Sequence, residues 1–197
     1  MSSQNLRIGI LALQGAVQPH VEKLRALSAE PVEVRQPKDL DGLSGIILPG
    51  GESTTMIQLL KLNHLWDPLA RFTRERPAWG LCAGTILLAK EVVHPAQESF
   101  GAIDISVSRN AFGRQLDSFI EIVSPTDHWV DQNRQEAVFI RAPRITQVGL
   151  GCDILFQMKS EPIMVRQGHA LATTFHPELS TSDIFHRYFV DLSEQHG

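Results

Sequence analysis

Cys82 stands in "GLCAG", where an apolar run ends and a helix-like run begins. A nucleophile carried on a strand-to-helix turn needs small neighbours, because such a turn is tight and strained. Gly80, Ala83 and Gly84 supply that room. A helix starting just after Cys82 would direct its positive end at the sulfur and favour negative charge there. The backbone N–H of Ala83 could then stabilise an oxyanion. The same letters also fit a small buried cysteine packed in a tight turn. A second candidate is "FHPEL", with His176 two residues before Glu178. In an extended segment residues i and i+2 point the same way, so Glu178 could orient the imidazole if the chain stays extended through Pro177. That imidazole could take a thiol proton and return it to a leaving amine. Taken alone, a strand-end histidine beside a surface glutamate is the better reading of these letters.

Two further stretches offer binding chemistry. "PGGES" (49–53) places two glycines where backbone amides could approach an anion, ahead of a helix that Ser53 or Thr54 could cap. It lacks the lysine of a phosphate loop, and a plain turn fits it as well. In "SRNAFGRQLDSF" (108–119), Arg109, Arg114 and Asp117 could hold a ligand carboxylate or form a structural ion-pair network. The eight histidines show no metal-ligand spacing with one another or with the two cysteines. Cys152, in "GLGCDILF", reads as core.

"LRIGILAL" (6–13) is a nearly continuous apolar run, as in a parallel strand buried on both faces. "VEKLRALSAE" (21–30) has helical spacing, "PVEVRQ" is a short strand, and "LSGIILPGG" (43–51) is another. "TTMIQLLKLNHLWDPLARFTRER" reads as helix broken before Pro68, "PAWGLCAG" as strand into turn, and "TILLAKEV" as the next helix. This alternation predicts a doubly wound parallel α/β core. From "FGAIDISVSRN" to "ALATTFH" the chain reads as successive strands, which adds antiparallel or mixed sheet, and "STSDIFHRYFVDLSEQ" closes it as a helix. In such sheets ligands bind beyond the carboxyl ends of the strands. "LQGA", "PGGES", "GLCAG" and "FHPEL" all fall there.

The 197 residues fit one domain spanning 1–197, with no linker or repeat to divide them. A net charge of -4 speaks against a nucleic-acid or anionic membrane surface. Two cysteines without a secretory signal point to a reducing, cytoplasmic setting. No apolar stretch approaches the roughly 20 residues of a membrane span.

Taken together, "LALQGAVQPH", "LPGGESTTM", "GLCAGTILLAKE", "SRNAFGRQLDSF", "FIRAP" and "FHPEL" occur in an order that resembles the triad-type glutamine amidotransferases. Within them the chain resembles the glutaminase subunits of pyridoxal 5′-phosphate synthase, the PdxT/SNO family, over essentially its whole length. Most other triad amidotransferases carry Gln three residues after the nucleophile; Thr85 holds that place here, as in this branch. Trp79 replaces the more usual Phe, and Ser108 a more usual charged residue. The resemblance implies a three-layer class I amidotransferase fold, a mixed sheet with a parallel core and antiparallel additions. It implies hydrolysis of L-glutamine to glutamate and ammonia for vitamin B6 synthesis, with no cofactor and no metal. Cys82 would be the nucleophile, His176 the base and acid, and Glu178 its orienter. Gly51, Glu52, Ser53, Arg109, Ile140 and Arg141 would bind L-glutamine. The Gln14–Gly15 loop would complete the oxyanion site when the synthase (lyase) subunit docks in a hetero-oligomeric complex. A related cysteine hydrolase and an inactive scaffold for the synthase are the rival readings.

Overall fold

The computed structural model describes residues 6–109 and 118–196. Arg114 and Asp117 lie outside the described residues.

The chain opens with β1 (Arg7–Leu11), α1 (Gln18–Ala26), β2 (Glu30–Val34), β3 (Gly45–Leu48), α2 (Ser53–Leu62), α3 (Trp66–Glu75) and β4 (Ala78–Leu81). It continues through α4 (Ala83–Leu88), β5 (Ala89–Val93), β6 (Ile103–Ser108), β7 (Ser118–Pro125), β8 (Gln135–Ile140), β9 (Arg144–Val148), β10 (Asp153–Met158), β11 (Glu161–Gln167) and β12 (Ala170–Thr173). A 3₁₀ turn (Pro177–Leu179) and α5 (Ile184–His196) follow. Nine strands form one sheet in the order β2-β1-β3-β4-β12-β11-β10-β7-β8. The first five run parallel, and each later neighbour is antiparallel. The expected parallel core with antiparallel additions is therefore present.

Successive core side chains go to opposite faces, as the pleat requires. On one face Ile8, Ile10, Ile47, Trp79, Leu81 and Leu171 pack with Val21 and Leu24 of α1 and Phe185 and Phe189 of α5. On the other, Ile46, Leu48, Ala78, Ala170 and Ala172 pack with Met56 and Leu60 of α2, Leu69 of α3 and Ile86 of α4. Burial on both faces is why the parallel strands read as unbroken apolar runs rather than alternating ones.

Two expectations need correction, and a third, a helix broken before Pro68, holds for a different reason. The run "TILLAKEV" is not one helix: α4 stops at Leu88, and Ala89 begins β5. Together β5, β6 and β9 form a separate three-stranded sheet, packed on the side of α2–α4, which the strand-like middle gave no means to separate from the main sheet. The long helix before Pro77 breaks at His64, in the left-handed region at φ 54°. Pro68 sits within the first turn of α3, where its missing N–H costs no helical bond.

Candidate active site

The turn at Cys82 has the geometry that "GLCAG" suggested. Cys82 is the N-cap of α4 at φ 49°, ψ -103°, a backbone state that costs an L residue about 1–3 kcal/mol and persists only where surroundings enforce it. The enforcement is visible. A Cβ on Gly80 would lie 2.4 Å from the Gly84 carbonyl oxygen, and one on Gly84 would lie 2.0 Å from that of Leu48. Only glycine permits β3, β4 and α4 to approach so closely. Thr85 is fully buried, and its hydroxyl lies 2.9 Å from the Gly80 carbonyl and 2.7 Å from that of Thr173 while accepting the Thr173 N–H at 3.0 Å. The residue that replaces glutamine three places on thus acts as a clamp between the turn and β12.

β12 delivers the second pair. The His176 N–H donates to the Val138 carbonyl, which fixes the backbone. His176 Nδ1 lies 2.8 Å from Glu178 Oε1, with both side chains buried. A carboxylate only accepts, so Nδ1 carries the proton and Nε2 is the open nitrogen. The pairing was expected, but its geometry was not. The segment is not extended through Pro177; it folds into the 3₁₀ turn, and the turn carries Glu178 back to the ring.

Nε2 of His176 is buried and has no hydrogen-bond partner at full bonding distance among the described residues. Cys82 is still near enough to act on it. Burial pushes the imidazole pKa down, but hydrogen bonding toward Cys82 and Glu178 and their charges outweigh it and raise the value to about 10. Glu178 moves the other way: burial pushes its pKa up, and the hydrogen bond to His176 with the nearby His20 and His176 holds it below the usual carboxylate range. The Cys82 sulfur itself lies 3.9 Å from the Ile140 carbonyl oxygen.

Gly15, Gly51, Glu52, Ser53, Cys82, Arg109, Ile140, Arg141, His176 and Glu178 all line one cleft of about 380 Å³ at the carboxyl ends of the parallel strands. Ala16, Gly50, Ile86 and Leu179 complete it. Gln14 and Ala83 stand just behind the lining. The Gln14 carboxamide oxygen accepts the Glu52 N–H at 3.2 Å, and Ala83 is buried at the start of α4. Gly15, at φ 95°, sits so close that a Cβ there would fall 2.0 Å from the Gly50 carbonyl oxygen.

The polar wall differs in detail from expectation. Neither Ser53 nor Thr54 caps α2; Glu52 does, its carboxylate accepting the N–H groups of Thr54 and Thr55 at 3.1 and 2.7 Å. Burial raises its pKa, and these hydrogen bonds more than reverse that. Arg109 donates to the same carboxylate at 3.2 Å and to the Thr54 hydroxyl at 2.9 Å. The Ser53 hydroxyl donates to Gln97. Arg141 holds φ 44°, a second non-glycine residue of the cleft in the left-handed region. Cys152 is half-buried at the rim of the core rather than inside it. Burial and the Asp104 carboxylate push its thiol pKa up.

The sequence reading missed His20 and His186, both fully buried behind Glu178. A signal was present: each falls on the apolar face of its helix, His20 with Val21 and Leu24, His186 with Phe185 and Phe189.

A family model described as the SNO glutamine amidotransferase family matches residues 10–195. The chain belongs to that family. SNO-family membership agrees with its similarity to individual proteins. It is 48% identical to the pyridoxal 5′-phosphate synthase subunit PdxT of Deinococcus radiodurans, over 95% of this chain and 97% of that one. It is 45% identical to the protein of the same name from Solibacter usitatus, over 93% and 97%. A crystal structure described as a glutamine amidotransferase superposes with a TM-score of 0.87 at 41% identity, covering 95% of this chain and 98% of that one. A glutamine amidotransferase from Thermotoga maritima shares the fold of this SNO-family chain, with a TM-score of 0.61 at 16% identity over 98% and 86% of the two chains.

Proposed function

We propose that the chain hydrolyses L-glutamine to L-glutamate and ammonia through Cys82, His176 and Glu178, and supplies the ammonia to a pyridoxal 5′-phosphate synthase subunit. The observation that carries this reading is the buried 2.8 Å contact between His176 Nδ1 and Glu178 Oε1 in the same cleft as a cysteine held in a strained strand-to-helix turn. The SNO glutamine amidotransferase family description supports the substrate, and the pyridoxal 5′-phosphate synthase subunit names of relatives 45–48% identical over nearly the whole chain support the assembly.

The chemistry follows from the atoms. The thiol proton passes to His176 Nε2, and the sulfur attacks the side-chain amide carbon of glutamine. The carbonyl oxygen becomes an oxyanion. Imidazolium, stabilised by Glu178, is the form its raised pKa favours, and it protonates the departing nitrogen as ammonia. Water then adds to the γ-glutamyl thioester, His176 accepts its proton, and glutamate leaves. Arg109 faces the glutamine α-carboxylate, and the backbone from Gly51 to Ser53 and at Ile140–Arg141 frames the rest.

The Ala83 N–H and the Gln14–Gly15 peptide form the oxyanion site, the second only when the partner selects an orientation with the N–H turned inward. Gly15 gives that peptide its freedom. The contact of Gln14 with the Glu52 N–H fits a resting state in which the loop is held elsewhere. A side chain at Gly15 does not probe this switch, because it would strike the Gly50 carbonyl, and Gly50 itself abuts the His176 ring.

The test is ammonia release from glutamine by the purified chain, with and without the synthase subunit. Turnover is expected to be low alone and to rise with the partner. Absence of ammonia in both states contradicts the glutaminase reading; full turnover unchanged by the partner contradicts the switch.

A further inference from the structure

Behind Glu178, on the side away from the cleft, lie two histidines that this mechanism does not use. His20 on α1 and His186 on α5 are both fully buried. His20 Nδ1 is 2.9 Å from His186 Nε2. His20 Nε2 is 4.0 Å from Glu178 Oε2, and neither of those two atoms has a hydrogen-bond partner among the described residues. The ring of His186 meets Trp79 edge-on at 5.0 Å, and Trp79 Nε1–H is anchored on the Thr173 hydroxyl.

Only one arrangement of protons makes these contacts attractive. If His20 Nδ1–H donated to His186, the lone pair of His20 Nε2 would face a carboxylate oxygen in a buried site. If His186 Nε2–H donates to His20 Nδ1, then His20 bears its proton on Nε2, aimed at Glu178 Oε2. Both rings are neutral: burial lowers the pKa of His20 to about 4 despite the pull of Glu178, and lowers that of His186 well below its ordinary value. The groups facing His20 are Glu178 and His176 from the 3₁₀ turn, His186 from α5, and Lys23 on its own helix, whose ammonium pairs with Asp183 at 2.9 Å.

We propose that His20 is a positioning residue of the glutaminase site, giving its Nε2–H to the outer oxygen of Glu178 and oriented for this by His186. This rests on the triad reading above. The chain runs His186 to His20 to Glu178, with His176 on the other carboxylate oxygen. Closing 4.0 Å to a normal hydrogen bond takes a shift of about 1 Å. A buried carboxylate with one oxygen unpaired is costly. A neutral donor satisfies that oxygen without competing for the negative charge that His176 needs, as a lysine or arginine there would.

The test compares His20→Leu, which removes the donor, with His20→Gln, whose Nε2 amide replaces it. Since a hydrogen bond to a charged group is at stake, His20→Leu is expected to lower kcat on the order of tenfold to a hundredfold. KM for glutamine should change little, and the acid limb of the rate profile should move. His20→Gln should recover much of the loss, and His186→Phe should show a smaller loss in the same direction. Wild-type kcat and pH profile in a folded His20→Leu protein would overturn the proposal, as would equal losses in the Leu and Gln variants. A second measurement needs neither turnover nor a variant. Long-range ¹H–¹⁵N spectra of the histidine-labelled chain should report His20 as the Nε2–H tautomer; an Nδ1–H tautomer would overturn the proposal even if the glutaminase reading stands. Absence of glutaminase activity with the expected tautomer would locate the failure in the triad reading instead.

Discussion

The Thr85 hydroxyl accepts the Thr173 N–H at 3.0 Å and lies 2.7 Å from the Thr173 carbonyl oxygen, so one side chain ties the turn that carries Cys82 to the strand that delivers His176. Cys82 and His176, the proposed nucleophile and base, follow the ends of different strands, β4 and β12, and their separation depends on this clamp. Thr85→Val keeps the shape and removes the hydroxyl that meets the Thr173 N–H and the Gly80 and Thr173 carbonyls, so stability should fall by about 1–3 kcal/mol. kcat should fall with it, while Thr85→Ser should restore both. Thermal unfolding and glutamine turnover of the two variants check this; a Val variant with wild-type kcat would mean the clamp does not set the geometry.

His176 and Glu178 differ in kind. In the proposed mechanism His176 moves protons, whereas Glu178 holds the ring and stabilises its charged form. His176→Asn should remove nearly all turnover, with about 10²–10⁴-fold attributable to the lost acid–base step. Glu178→Gln should leave more. Steady-state rates decide it, and near-normal turnover in the His176 variant would refute the role.

Arg109 stands at the cleft wall, bonded to Glu52 and Thr54 rather than to the core. Its ion pair involves a half-exposed carboxylate and stabilises by at most about 1 kcal/mol. Arg109→Ala should therefore raise KM for glutamine with little change in Tm. Unchanged kinetics with a large loss of Tm would make it a structural residue.

Much of this was legible in the sequence because the physics was local. The parallel strands announce themselves as apolar runs, and the glycines around Cys82 mark a turn that only small residues permit. Other features were not local. Whether β5, β6 and β9 join the main sheet is decided by packing against α2–α4, which no window of residues records. Glu52 caps α2 because its side chain folds back on Thr54 and Thr55, although serine and threonine stood at equally plausible places. His20 and His186 are 166 positions apart, and their meeting behind Glu178 depends on α1 and α5 sharing one face of the sheet.

The pKa directions predict a stability curve with two falling limbs. His20 folds with a pKa of about 4 against about 6.5 unfolded. Between those values the unfolded chain binds a proton that the folded chain refuses, so stability drops as pH falls through that window, by about 3 kcal/mol for this group. Glu178, with its pKa depressed, also loses its contribution as pH falls through the folded value. His176 acts oppositely: its pKa is raised to about 10, so its contribution is complete below about pH 6.5 and is lost as pH rises toward 10. Tm measured from pH 4 to 10 should peak near neutrality, and His20→Gln should flatten the acid limb. An acid limb unchanged in that variant would contradict the assignment.

In the proposed reaction Cys82 attacks glutamine while Cys152 does not, and a glutamine-analogue electrophile followed by peptide mass spectrometry distinguishes the two thiols. Cys82 lies in the cleft with His176; Cys152 lies outside it with its thiol pKa pushed up. Stoichiometric labelling of Cys82, complete loss of glutamine turnover, protection by glutamine and an unmodified Cys152 are expected. Labelling of Cys152 with Cys82 untouched, or turnover surviving full modification of Cys82, would contradict the proposed reaction.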